Sequence, residues 1–396
     1  MVYRVKVNPL MIKKAREEIG LSFYQLPQIL KDAKEWEEGT KQPTWKDLRN
    51  LAKKYKRPPV FYLMSEPLKE EGEDIIEFRS PEKIEEYSYE LNLEIRRVKY
   101  RRNIFLNLNT EMGNILPDFS RFVFKNKSSS KKPNYKEINY KDLGKHIRNF
   151  LEIPFETQKN WLKNDNDKPK YDHSMFLYQW KERLADLGVL VFETEKVSKS
   201  EMSGMSLYFD LCPIILLNGK DSYNRRIFTL IHELSHLVMR ESTICDVDIH
   251  NSNETFCNKV AAEVLVPKDT LKNNIIFYNN GNINYSGLSN IYGVSQQVIA
   301  YRLANIGKIG QNEVKQKINE ITEKNQIKEE RQAQRNKKSN GGGMSKPAKK
   351  KKYEGQPYTR FILNAYENNL ISSSRFMRYL DIPVDKIDKL HDVLYG

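Results

Sequence analysis

The sequence predicts an α+β fold, and three observations predict it. Two short β-prone runs, residues 189–192 and 213–217, lie in the middle of the 396-residue chain. Apolar residues at helical spacing dominate before and after them. The second run leads into an apolar helix that carries two histidines one turn apart.

Residues 9–67 show helical spacing at Leu10, Ala15, Ile19, Leu26, Ile29, Leu30, Leu48, Leu51 and Tyr55. Gly20, Gly39 and the start signal Pro43-Thr44 cut this stretch into short helices, and Pro58, Pro59 and Pro67 close it. A longer basic helix is predicted over 82–113, then a flexible insertion over 125–136, where three serines and Pro133 stand among lysines. The strands are bounded by Gly188 and by Asn218-Gly219. Helices follow over 225–239 and 253–265, and two more over 285–309 flank the turn Tyr292-Gly293-Val294-Ser295. Residues 313–336 are polar all round and read as a solvated or disordered helix. Gly341-Gly342-Gly343 and Lys349, Lys350, Lys351 and Lys352 mark a tether. The expected organisation is therefore 1–67, a linker over 68–135, a central domain over 136–310, a charged helix and tether over 311–352, and a helical extension over 353–396.

Lys and Arg total 66 against 52 Asp and Glu, a formal charge of +14 that favours polyanionic partners. Much of the surplus is local, because residues 309–352 hold 13 basic residues against 5 glutamates. Cys212, Cys245 and Cys257 are odd in number and lack a CxxC spacing, which argues against a disulfide framework and for a reducing compartment. No run approaches the ~20 apolar residues of a membrane span, and the first residues lack the pattern of a secretion signal, so a cytoplasmic location away from membranes is expected.

The chemistry concentrates in His232-Glu233-Leu234-Ser235-His236. Four residues turn a helix through about 400°, so both imidazoles project from one face and can meet one zinc ion. Glu233 beside them can take a proton from metal-bound water. A third ligand is needed. Glu254 opens the next predicted helix with Asn258 one turn later, where it can orient Glu254 from behind; Glu263 is the rival carboxylate. For an oxyanion stabiliser, His250, Tyr208, Arg225 and Arg226 are within sequence reach.

Two segments together carry a resemblance. Residues 226–237, Arg-Ile-Phe-Thr-Leu-Ile-His-Glu-Leu-Ser-His-Leu, and residues 254–267, which begin Glu-Thr-Phe-Cys-Asn-Lys-Val-Ala-Ala-Glu, resemble the paired helices of the ImmA/IrrE family of zinc metallo-endopeptidases. Cys257 and Val260 depart from that family's usual Ala and Phe. The resemblance implies a zincin-like lobe with a small sheet, with His232, His236 and Glu254 as zinc ligands, Asn258 behind them and Glu233 as catalytic base. It also implies a strand at Met205, Ser206 and Leu207, read as a sheet edge to which an extended substrate adds.

Residues 10–67 resemble an Xre-type helix-turn-helix module through Ala15-Arg16-Glu17, Gly20-Leu21-Ser22, Trp36-Glu37-Glu38-Gly39 and Gln42-Pro43-Thr44. Between Leu21-Ser22 and Trp36 the chain is about four residues shorter than that pattern's usual spacing, the Gly-containing turn is missing and Pro27 interrupts the first helix, which weakens base reading. A second such pattern, over 288–303, belongs with the ImmA/IrrE resemblance. The function this implies is a zinc endopeptidase that cuts a protein, with a helix-turn-helix repressor or antitoxin-like regulator as substrate, in a stress response or a mobile element. The alternative is a DNA-binding regulator whose metal site is sensory or vestigial. DNA is the second candidate partner, through Lys349 to Lys352 and independently of sequence.

Overall fold

The structure, a computed structural model, describes residues 3–66, 87–124, 135–161, 172–245, 252–338 and 344–395, with backbone alone for 245 and 325–338. Expectations for residues 67, 82–86, 125–134, 250 and 341–343 fall outside these. The chain divides into two units, Met1–Lys99 and Tyr100–Gly396.

In the first unit, α1 (Pro9–Glu17) starts with Pro9 in its first turn and the Asn8 side chain accepting from the Leu10 amide. The shortened stretch after Leu21 forms two single 3-10 turns, Phe23–Gln25 and Gln28–Leu30, before α2 (Ala33–Glu37), which has only five residues. Pro27 lacks the amide a continuous helix would need there. In α3 (Trp45–Tyr55), Thr44 and Asp47 satisfy each other's amides in a capping box. Met11, Ile12, Ala15, Trp36, Leu48, Leu51 and Tyr55 form the buried core. Glu37 is held by Arg16 at 2.8 Å, and Asp32 and Glu35 by Lys41, so much of this acidic charge is neutralised within the unit. The division between units falls inside α4 (Tyr89–Glu111).

The second unit continues through α5 (Tyr140–Leu151), α6 (Phe155–Asn160) and α7 (His173–Asp186) to β1 (Leu190–Thr194). Then come β2 (Gly204–Leu207), β3 (Ile214–Asn218), α8 (Tyr223–Val238), β4 (Thr243–Cys245), α9 (Ser252–Leu265) and α10 (Lys268–Asn273). α11 (Tyr285–Tyr292) and α12 (Gln296–Asn305) meet at Gly293, whose φ of +67° closes the turn. α13 (Gln311–Lys338) is the polar helix. The chain ends in α14 (Lys346–Glu354), α15 (Gln356–Glu367), α16 (Ser373–Leu380) and α17 (Ile387–Tyr395).

The four strands form one mixed sheet in the order β1-β3-β2-β4, with β1 and β3 parallel and β2 antiparallel to both neighbours. Met205 stands opposite Leu216 on one side and Ile244 on the other. This corrects the expectation that Met205 to Leu207 form an edge, because β4 pairs over Gly204, Met205 and Ser206 and is the outer strand on that side among the described residues. Every residue of β1, β2 and β3 is buried, as expected for strands covered on both faces. Ile227, Leu230, Ile231 and Leu234 of α8 join Val191, Ile215 and Leu217 in one apolar core, and α11 and α12 share it through Leu288, Ile299 and Leu303.

The other face is met by the chain's end. Phe192 packs edge-on to Tyr358 at 5.6 Å between ring centroids, with the Arg101 guanidinium 5.3 Å over its ring. The lysine cluster read as a tether is the body of α14, with Ser345 capping it. Lys350 is buried against Glu354 at 2.8 Å, Lys351 donates to the Val393 carbonyl at 2.6 Å, and Lys352 pairs with Glu195 at 2.6 Å. Composition suggested a solvated run; intramolecular partners order it.

Candidate metal centre

α8 begins where Ser222 caps the Arg225 amide and ends at Arg240, whose φ of +57° turns the chain out of the helix. Between these points the helix is buried nearly throughout, His232, Glu233 and His236 included. α9 packs across both α8 and α5. That crossing sets Glu254 and Asn258 over the two histidines.

His232 Nε2 lies 2.9 Å from Glu254 Oε2 and 3.2 Å from His236 Nε2, and His236 Nε2 lies 3.4 Å from Glu254 Oε1. Ligand atoms of these three residues all fall within 4.8 Å of one another, and they could hold a metal ion. The donor set fits zinc, since two imidazoles and one carboxylate are a ligand set of catalytic zinc. The outer nitrogens fit as well. His232 Nδ1 meets Asn258 Oδ1 at 3.0 Å and His236 Nδ1 meets the Tyr135 hydroxyl at 3.1 Å, so each Nδ1 has a hydrogen-bond acceptor and each Nε2 is turned inward with its lone pair. Asn258 therefore orients His232; the sequence reading had it orienting Glu254. Burial opposes ionisation of Glu254; when no metal is bound and the imidazoles are protonated, hydrogen bonds from the Nε2–H groups of His232 and His236 outweigh it and hold the carboxyl well below the usual range.

Glu233 is fully buried. Its Oε2 accepts from Thr243 Oγ1 at 3.1 Å, and Thr243 also reaches Ser206 Oγ at 2.9 Å. Its Oε1 has no hydrogen-bond partner among the described residues. A buried carboxylate oxygen without a partner is costly. One oxygen is anchored and the other carries no partner among the described residues. Gly204 makes room for it, because a Cβ there would lie 2.8 Å from Glu233 Oε1 and 2.4 Å from Thr229 Cγ2.

Residues 184–304 match the family described as the IrrE N-terminal-like domain, a peptidase domain. The match supports a metallopeptidase-type function for this part of the chain, and the IrrE-like segment contains every residue that converges on the candidate metal centre except Tyr135. No curated protein and no solved structure matches the chain.

Within the IrrE-like segment the rival carboxylate is committed elsewhere, for Glu263 pairs with the buried Arg302 at 2.7 Å. The oxyanion candidates are also engaged. Arg226 pairs with Glu193 at 2.6 Å, Arg225 donates to Ser203 Oγ at 3.0 Å, and Tyr208 donates to Asp210 at 2.6 Å, with burial and Asp210 pushing its phenol up to about 12. His250 lies outside the described residues. A cleft of about 600 Å³ opens between residues 135–140, Tyr135 included, and the flank of α9 that carries Ser252, Thr255, Phe256 and Lys259.

Sequence reasoning missed Tyr135, Glu241, Thr243 and Gly204. Tyr135 reads locally as the end of a Ser/Lys-rich insertion, and its partner His236 is 101 residues away. Gly204 alone carried a signal, as a glycine opening a predicted strand.

Proposed function

We propose that this chain is a zinc-dependent endopeptidase acting on a cytoplasmic protein, with a helix-turn-helix repressor or antitoxin-like regulator as the substrate class. The observation that carries the reading is the convergence of His232, His236 and Glu254 beside a buried Glu233 whose Oε1 has no partner. His232, His236 and Glu254 would hold the zinc, which when bound supplies Lewis-acid activation of water and of a peptide carbonyl.

The chain's own residues do the rest. Glu233 Oε1 accepts a proton from the attacking water and delivers it to the leaving amine, while the Thr243 hydroxyl fixes the other oxygen so that the carboxylate cannot rotate away. Asn258 holds His232 in one tautomer. Among the described residues β4 pairs on one side only, to β2. An extended substrate adding to that edge would run past Thr243 and so past the base.

The test is zinc content and cleavage measured on the same preparations. Wild type should hold about one zinc per chain, and His232→Ala or His236→Ala should abolish it. Glu233→Gln should keep the zinc and lose cleavage of helix-turn-helix repressors encoded near this gene, by at least about a hundredfold as read by mass spectrometry of the fragments. Equal metal in all variants would overturn the site, and undiminished cleavage by Glu233→Gln would overturn the base.

A further inference from the structure

We infer that Tyr135 and Glu241 form a hydrogen-bond relay that positions His236 for metal binding, a carboxylate acting on the imidazole through a phenol. The inference rests on the metallopeptidase reading of the same site.

The two histidines of the centre are oriented differently. His232 has an amide oxygen on its outer nitrogen, at 3.0 Å. His236 has the Tyr135 hydroxyl at 3.1 Å, and that hydroxyl also contacts the Glu241 carboxylate. Glu241 Oε2 itself stands 3.5 Å from His236 Nδ1, too far for a good direct bond. An ionised Glu241 can only accept, so the phenol O–H donates to the carboxylate and the phenol oxygen accepts from His236 Nδ1–H. That fixes His236 in the tautomer whose Nε2 lone pair faces Glu254 and His232. Neighbours lock the ring in place, since Tyr135 packs edge-on to Phe256 at 5.2 Å between centroids and Cys257 Sγ sits 3.7 Å from His236 Nδ1.

The elements explain why these two residues can meet. Glu241 follows directly on the turn at Arg240 that ends α8, so it folds back beside the last turn of the helix that carries His236. Tyr135 enters from the 3-10 turn Tyr135–Glu137, ahead of α5, which α9 packs against. The relay therefore ties α8 to a segment that precedes the IrrE-like match. Tyr135 and Glu241 are positioning residues, since they act through His236.

The test measures zinc affinity by competition with a chromophoric chelator, together with the visible spectrum of the cobalt-substituted protein. Tyr135→Phe keeps the ring and removes the hydroxyl. It should weaken zinc binding by about ten- to a hundredfold and shift the cobalt spectrum, as loss of an outer-shell partner does. Glu241→Ala should do the same, Glu241→Gln should be milder because its amide oxygen still accepts from the phenol, and the double variant Tyr135→Phe/Glu241→Ala should be no weaker than Tyr135→Phe alone. A purely structural role would not give that order or that lack of additivity. If Tyr135→Phe fails to fold, the Glu241 pair still decides, because equal affinities for Glu241→Ala and wild type would overturn the relay. Wild-type zinc with unchanged affinity and spectrum in Tyr135→Phe removes the relay and leaves the centre intact, whereas no zinc in wild type removes both.

Discussion

Glu254 and Glu263 stand on the same helix at i and i+9, and their surroundings give them opposite work. Glu254 lies between two imidazoles. Glu263 neutralises Arg302, whose side chain is 2% exposed, and accepts from the Lys268 amide. Glu254→Ala should therefore strip the zinc. Glu263→Ala should keep the zinc and cost about 3–5 kcal/mol in chemical denaturation, because it leaves a buried guanidinium without its carboxylate. The reverse pattern would exchange their roles. The same scale shows why α8 tolerates so many polar groups inside: Ser235 returns its hydroxyl to the Ile231 carbonyl at 2.8 Å, and Glu233 and both histidines have partners on other elements.

At the scale of elements, two placements matter most. β2 lies inside the sheet, so its Gly204 sits under α8, and among the described residues the outer strand on that side is β4. α14 is ordered by its charges, with Glu354 joining Arg101 at 2.5 Å and Lys350 at 2.8 Å where both are nearly inaccessible. Glu354→Ala should destabilise the second unit by about 3–5 kcal/mol, measured by urea unfolding, with zinc content unchanged. The turn between α11 and α12 is equally constrained. A Cβ at Gly293 would lie 2.2 Å from Phe176 Cε1 on a backbone with φ of +67°. Gly293→Ala should lower the melting temperature through both the strain and the clash.

For the whole molecule, the charge of +14 and the geometry pull apart. Charge favours phosphate, yet three of the four lysines expected to grip it are spent on Glu354, the Val393 carbonyl and Glu195. In the first unit, two 3-10 turns and a five-residue helix occupy the stretch where a base-reading helix would be needed. Binding to random duplex DNA should therefore fall steeply with salt and prefer this gene's promoter by less than about tenfold, as read by fluorescence anisotropy at two salt concentrations. Replacing Lys349 to Lys352 with Ser should lower the melting temperature as well as any DNA affinity. A promoter preference of about a thousandfold would restore the regulator reading. Among the described residues no helix is long and apolar enough to cross a membrane.

The histidine pair, the glutamate between them and the strands around 190 and 214 were legible because each depends on a local period. Two residues four apart share a helix face wherever the helix goes, and a short apolar run bounded by Gly or Asn-Gly is a strand in most settings. Glu254 was legible through the position of its helix and the resemblance, and Asn258 only in part, since which residue it would orient was misread. The Tyr135 relay, the interior place of β2 and the order of the lysine cluster were not legible. They depend on partners 101, about 40 and 157 residues away, as in Tyr135 with His236, Met205 with Ile244 and Lys352 with Glu195. Local propensity is silent on such pairings, because their stability comes from burial and from charges that meet only once the chain has folded.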